Sequence, residues 1–220
     1  MRERPRAEWP YFIEVGPAVL AVPLDEVKTW LKVSHSDLDA EITALVEGAT
    51  NAAENLTRRV FIEKTYRTFR DGFSDAELAY GNYAALIPYS RRSGCDLSSI
   101  ELRKSRLQSI VSVEYLKNAV WTLVDSSVYY NTIESAYSSL LLNDGEAWPT
   151  DVDNRRHAVR IDFTAGYGGE SSDIPSDIRT AIKMHVANAF TNRGDCMNAK
   201  WIPVAAAMTY ANNRIMEIGA

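Results

Sequence analysis

The hydrophobic period of this chain changes twice along its length, and that change limits what it can fold into. Near the start, Leu38, Ile42, Leu45, Ala49, Ala52 and Leu56 recur at helical spacing, with Val46 and Ala53 widening the stripe. This predicts a helix over 37–58, with alanines that let another helix approach closely. Ser36 is placed as its N-cap, with Asp39 three residues on in a capping-box position. A shorter helix precedes it, opened by Pro23 and carrying Leu24, Val27 and Leu31. After Arg59 the period falls to two. Segments 60–69, 84–88, 99–103, 108–116, 120–124, 137–142 and 158–164 are rich in β-branched and aromatic residues. Turn residues separate them at Gly81-Asn82, Ser93-Gly94, Lys117-Asn118 and Asn143-Asp144-Gly145.

The helical period then returns. Ala165-Gly166-Tyr167-Gly168-Gly169 closes the β region, and glycine tolerates the positive φ that a strand-to-helix turn requires. Pro175 opens a helix with Asp177 in its first turn and Ile178, Ile182, Val186 and Ala189 or Phe190 on its apolar face. Gly194 marks its end. A last helix starts at Pro203, with a narrow stripe of Val204, Ala207, Met208, Ala211, Ile215 and Ile218. Helical stripes at both ends of a β-rich stretch bury their faces by packing together, so the fold class is α+β: a small helical bundle carrying a β-rich insertion. The expected organisation is an N-terminal arm at 1–22, a helical core at 23–59 and 170–195, an insertion at 60–169 and a tail helix at 196–220. The arm holds Pro5, Pro10, Pro17 and the cluster Trp9, Tyr11, Phe12, and is expected to dock on the body or on a neighbour.

Composition narrows the function classes. Hydrophobic types make up 46% of the 220 residues and charged types 24%, the balance of a globular protein. A chain of this size buries about 70% of its unfolded surface. Twenty-four basic residues against 29 acidic ones give a net charge of -5, which disfavours duplex binding as the main task. No apolar run approaches the roughly 20 residues of a membrane helix, and no apolar signal core follows the arginine-rich N-terminus. Cys95 and Cys196 stand far apart, which reads as two free thiols in a reducing compartment.

Catalytic constellations are sparse. His35, His157 and His185 have no partner at metal-ligand spacing, and His185 reads as an ordinary histidine within a helix. Glu134, Asp151 and Asp153 offer a dispersed acid pair or, more simply, a solvated acidic loop. The glycines at 166–169 lack the lysine and spacing of a phosphate cradle, and there is no GxSxG elbow. No cofactor or metal is expected, and no enzymatic activity.

Charge is unevenly placed. Arg91, Arg92, Arg103, Lys104 and Arg106 stand against Asp96 and Glu101, while Glu134, Asp144, Glu146, Asp151 and Asp153 have no basic residue among them. Either these are two solvated loops, or they are complementary surfaces on neighbouring copies of the chain. A head-to-tail contact of the second kind closes into a ring.

The order of motifs resembles the head–tail connector, or adaptor, family of tailed bacteriophages. The carriers are Leu24 to Val33 followed by Asp37 to Ile42, then Glu54-Asn55-Leu56-Thr57-Arg58-Arg59-Val60-Phe61. They continue with Leu107 to Leu116, where Arg106 replaces the usual proline, and with Val159 to Gly168 leading into Ile174-Pro175 and on to Arg193. The resemblance spans about residues 20–195. It implies a homo-oligomeric ring, usually a dodecamer, beneath the portal protein of a phage, prophage or gene transfer agent. It further implies that the ring extends the channel for double-stranded DNA without specific binding and docks the stopper or tail-completion protein. No membrane is involved; the site is the head–tail junction of the virion, after assembly in the host cytoplasm. The C-terminal segment would engage the portal, with Trp201, Val204, Met208, Ala211, Ile215 and Ile218 as contact candidates and Trp201 as anchor. Packing of the same helix back onto 175–192 is the competing expectation. The rival function is a nucleic-acid-binding module using 91–106.

Overall fold

The computed structural model describes residues 11–73, 99–132, 138–192 and 201–215. In chain order the elements are β1 (Tyr11–Val15), α1 (Leu24–Leu31), α2 (Asp39–Thr57), β2 (Lys64–Arg70), β3 (Ile100–Leu102), β4 (Leu107–Lys117) and β5 (Val120–Leu123). They continue with β6 (Tyr129–Thr132), β7 (Ser138–Leu142), β8 (Val159–Ala165), a 3-10 turn at Ser171–Asp173, α3 (Ser176–Thr191) and α4 (Val204–Asn212). The class is mixed α+β. Among the described residues there are four α-helices and two antiparallel sheets. The expected strand at 84–88 and the turns at 81–82 and 93–94 lie outside the described residues, as does Gly194.

The chain crosses between two compact units at 15–16, 64–65, 103–104, 106–107 and 164–165. One unit holds the helices. Its core gathers Val27 of α1, Ile42, Val46, Ala49 and Ala53 of α2, Ile178, Ile182 and Val186 of α3, and Ala206 and Tyr210 of α4. Pro23, Pro175 and Pro203 each precede a helix, where the missing N–H costs nothing. α1 and α2 end on Lys32 and Arg58 in the left-handed conformation, at φ 60° and 57°.

Two expectations for α2 are corrected. Its N-cap is Leu38, and no capping box forms at Ser36. The Asp39 carboxylate instead takes a 2.6 Å bond from Lys28, and its N–H donates to the Ser36 carbonyl. The buried stripe is also rotated: Ile42, Val46, Ala49, Ala53 and Thr57 face inward, while Leu56 is exposed. Thr57 can be buried because its hydroxyl donates to the Ala53 carbonyl at 2.8 Å.

The helical unit is also larger than the expected 23–59 plus 170–195. Ala21, Val22, Phe61 and Ile62 are buried in its core, and α4 belongs to it. Apolar residues just outside the predicted helices complete the packing that the helices begin. The arm at 1–22 is therefore divided: Tyr11–Val15 is a strand, and Ala21 and Val22 are core.

Gly166 shows why the 165–169 turn needs glycine. Its φ is +152°, and a Cβ there would fall 2.6 Å from the Glu63 backbone. The two chain segments bond directly around it: Tyr167 N–H donates to the Phe61 carbonyl, and Glu63 N–H to the Gly168 carbonyl.

The other unit holds the sheets. Among the described residues, one sheet has the order β1-β2-β8-β4-β5 and the other β3-β7-β6. β2 alternates strictly: Tyr66, Thr68 and Arg70 are buried, while Thr65, Arg67 and Phe69 are half-buried. On the buried side Tyr66 stacks on Phe163 at 5.8 Å, with Tyr11 edge-on to the same ring. On the other side Arg67 grips Asp162 with two bonds of 2.8 and 2.7 Å and lies 3.3 Å from Glu14. Arg160 pairs with Glu114 and covers the Trp121 ring at 4.3 Å. This face is built from ion pairs over aromatic rings rather than from apolar packing.

Candidate functional site

α4 is the element on which the structure assembles most of the predicted contact residues. Its inward side is Ala206 and Tyr210, both almost fully buried in the helical core. Both ends are fastened. The Asn188 amide donates to the Trp201 carbonyl at 3.0 Å. The Asn213 carbonyl accepts from Arg59 Nε at 2.6 Å, and the Asn213 amide donates to Asp177 at 2.8 Å.

The outward side is apolar. Trp201, Val204 and Met208 are 59%, 58% and 64% exposed, and Ala211 is exposed beside them. Their spacing of three, four and three residues sets them along one face. Ala207 is half-buried. Ile215 departs from the predicted stripe: it is 4% exposed, and its N–H donates to the Thr57 carbonyl at 2.9 Å. Just past the helix end, the chain turns back toward α2, which carries Ile215 inward. Ile218 lies outside the described residues. The expected packing of this helix back onto the helical core is met by Ala206 and Tyr210, while its opposite face stays exposed.

Beneath the stripe sits an aromatic cluster. The His185 ring is edge-on to Trp201 at 5.5 Å and 6.3 Å from Tyr210. Neither His185 nitrogen nor the Tyr210 hydroxyl has a hydrogen-bond partner among the described residues. Burial pushes the His185 imidazole below its ordinary range and the Tyr210 phenol above its own. His185 is therefore a buried histidine whose surroundings favour the neutral ring.

Among the described charged candidates, Arg103, Arg106, Asp151 and Asp153 are employed within the chain. Arg91 and Arg92 lie outside the described residues, as does Glu134. Arg103 donates its backbone N–H to the Tyr11 hydroxyl at 2.9 Å and lies 3.4 Å from Glu101. Burial lowers the Lys104 pKa, against the opposing pull of Glu54. Arg106 adopts φ 59°, covers the Tyr167 ring at 4.4 Å and accepts the Gly166 N–H on its carbonyl. Arg103 belongs to the sheet unit and Lys104 and Arg106 to the helical unit.

On the acidic side, Asp151 pairs with Lys117 at 2.5 Å, which lowers the carboxyl and raises the amine. Asp153 accepts the N–H groups of Asn118 and Ala119, each at 2.8 Å. Those two residues form the β4–β5 turn with φ of 51° and 63°, a conformation alanine resists. The carboxylate holds the turn in place. Asp144 and Glu146 remain exposed. Among the described residues, no group of three or more His, Cys, Asp or Glu side chains is placed to hold a metal ion. No described helix is long and apolar enough to cross a membrane.

Sequence reasoning named Phe12 in the docking cluster of the arm but missed the other exposed apolar residues on the outer strands of the five-stranded sheet: Ile13 and Val15 on β1, and Val120 and Leu123 on β5. The signal for β1 was the apolar run Tyr11-Phe12-Ile13, hidden by prolines on either side.

The architecture is shared along nearly its whole length with chains from gene transfer agent (GTA) particles. A chain from the neck of an empty GTA particle, computed with C6 symmetry, superposes with a TM-score of 0.73 at 18% identity, covering 95% of this chain and 97% of that one. A chain from the virion of a native GTA particle gives 0.68 at 19% identity over 94% and 96%. One from the neck of a native GTA particle, computed with C12 symmetry, gives 0.67 at 19% over 94% and 97%. The sequence matches no described protein family and no curated protein. At this level of identity the likeness establishes the fold.

Proposed function

We propose that this chain is a structural, non-enzymatic subunit of a head–tail connector ring, present in the virion at the head–tail junction. The observation that carries the reading is the superposition, at TM-score 0.73, on 97% of a GTA neck chain. The symmetries of the neck structures, C6 and C12, favour a ring of identical copies, and twelve is the number we adopt.

In this reading the helical elements are the adaptor core and the β-rich segment is an insertion carried by it. The portal protein lies on one side of the ring and the stopper or tail-completion protein on the other. The exposed face Trp201, Val204, Met208 and Ala211 is the portal contact, entering a groove as an amphipathic helix does. Burying a side chain such as Trp201 or Met208 contributes about 1.5–3 kcal/mol each. A charge of -5 per chain suits a channel wall that lets phosphate slide past.

Native mass spectrometry of the chain mixed with the portal protein of the same particle tests the reading. A fixed multiple of this chain added to the portal ring is the expected result. A folded chain that never joins the portal overturns it. Duplex binding with a steep salt dependence in the same buffers would redirect the reading to the nucleic-acid alternative.

A further inference from the structure

We infer that neighbouring copies in the ring join through the two outer strands of the five-stranded sheet, β5 of one copy pairing in parallel with β1 of the next. This rests on the connector reading above and names the surface by which that ring would close.

Four observations converge on it. Among the described residues no strand pairs with the outer side of β1 or of β5. Each outer strand exposes apolar side chains: Phe12, Ile13 and Val15 on β1, Val120 and Leu123 on β5, all but Phe12 more than half exposed. Sheet edges that face water are ordinarily protected by lysine, proline or inward charges. β5 reads Val-Trp-Thr-Leu with no charge at all, and the single charge of β1, Glu14, is held 3.3 Å from Arg67. The β1 ladder shifts register between Ile13 and Val15, which leaves Tyr11–Ile13 as the regular stretch for pairing.

Topology then fixes the direction. A sheet of five antiparallel strands has its two outer strands running the same way. Copies that repeat head to tail therefore bring β5 against β1 in parallel. A two-fold pair would bring β1 against β1, or β5 against β5, in antiparallel. Size decides between them. An edge contact of three or four residues falls below the roughly 1,000 Å² expected of a stable interface. A two-fold pair has one such contact and leaves two edges open. A closed ring gives every copy two contacts and leaves no outer strand of the five-stranded sheet unpaired.

The test uses the full chain assembled with the portal protein. In a Cys95→Ser, Cys196→Ser background, chains carrying Ile13→Cys and chains carrying Leu123→Cys are mixed and treated with a short bismaleimide. The expected product is the mixed dimer, and a ladder of multimers when one chain carries both cysteines. Dimers from Ile13→Cys alone or Leu123→Cys alone, or no crosslink in assembled rings, overturn the inference. In parallel, Val120→Lys with Leu123→Lys is expected to stop ring closure at least tenfold in yield while the monomer keeps its circular dichroism spectrum. Wild-type ring yield from this variant overturns the edge pairing and leaves the connector reading standing. Absence of any ring from the wild-type chain with its portal overturns both.

Discussion

The helical unit and the sheet unit solve the same burial problem with different chemistry. The helical core is apolar and closed: Val27, Ile42, Val46, Phe61, Ile178 and Ile182 have 0% exposure. The sheet unit is closed on one side by Tyr66 and Phe163 but clad on the other by Arg67–Asp162 and Arg160–Glu114. An apolar core tolerates loss of shape poorly. An ion-pair layer that still meets water, with Arg67 28% and Arg160 25% exposed, tolerates it better, because water replaces part of what is lost. The difference teaches that rigidity is concentrated in the helices, while the sheet spends its surface on oriented charge and open edges.

The largest effect is expected where that contrast is sharpest. Phe61→Ala opens a cavity in the helical core and should lower unfolding stability by about 3–5 kcal/mol in urea titration. Arg67→Ala strips a two-bond partner from Asp162, whose side chain is only 12% exposed. It should cost about 1–2 kcal/mol, reduced from the fully buried case because Arg67 itself meets water. A result larger than that of Phe61→Ala would invert the contrast.

Acid gives a finer probe of the helical side. His185 is neutral and buried, with its pKa below the ordinary 6.5, so the unfolded chain binds the extra proton first. Stability should hold above pH 6.5 and fall as pH drops from there toward the lowered value. His185→Phe should flatten that limb of a pH–stability curve. The smallest stability effect is expected on the outer face of α4. Met208→Ala should change stability by less than about 0.5 kcal/mol yet weaken portal association at least tenfold in a pull-down titration. Deleting the whole helix is the blunter tool, since it also removes buried Tyr210.

Much of the helical unit was legible. Proline placed three helix starts correctly, since its chemistry acts locally. The register of α2 was misread by one position because Thr57 counts as polar, and its burial depends on the Ala53 carbonyl that satisfies it. On α4 the exposed residues were named in advance. That Ala206 and Tyr210 turn inward depends on α3, a partner no local pattern reveals. β1 was read as part of an arm because an outer strand needs neither length nor freedom from flanking prolines. β6 was missed because Tyr130 and Asn131 are exposed and give no alternation. The charged segments were read as surfaces from composition alone. Asp153 instead stabilises the left-handed turn at Asn118 and Ala119, and Arg106 covers the Tyr167 ring, tasks visible only once the chain is folded.

Gly166 carries a consequence for how such a sequence can drift. The superposed neck chain differs at about four positions in five, so the architecture survives extensive change of side chains. Position 166 is not, because the backbone of Glu63 occupies the space where any Cβ would stand. Any descendant that keeps this crossing of segments must keep glycine there. A substitution at 166 must therefore force the two segments apart, whichever side chain it brings.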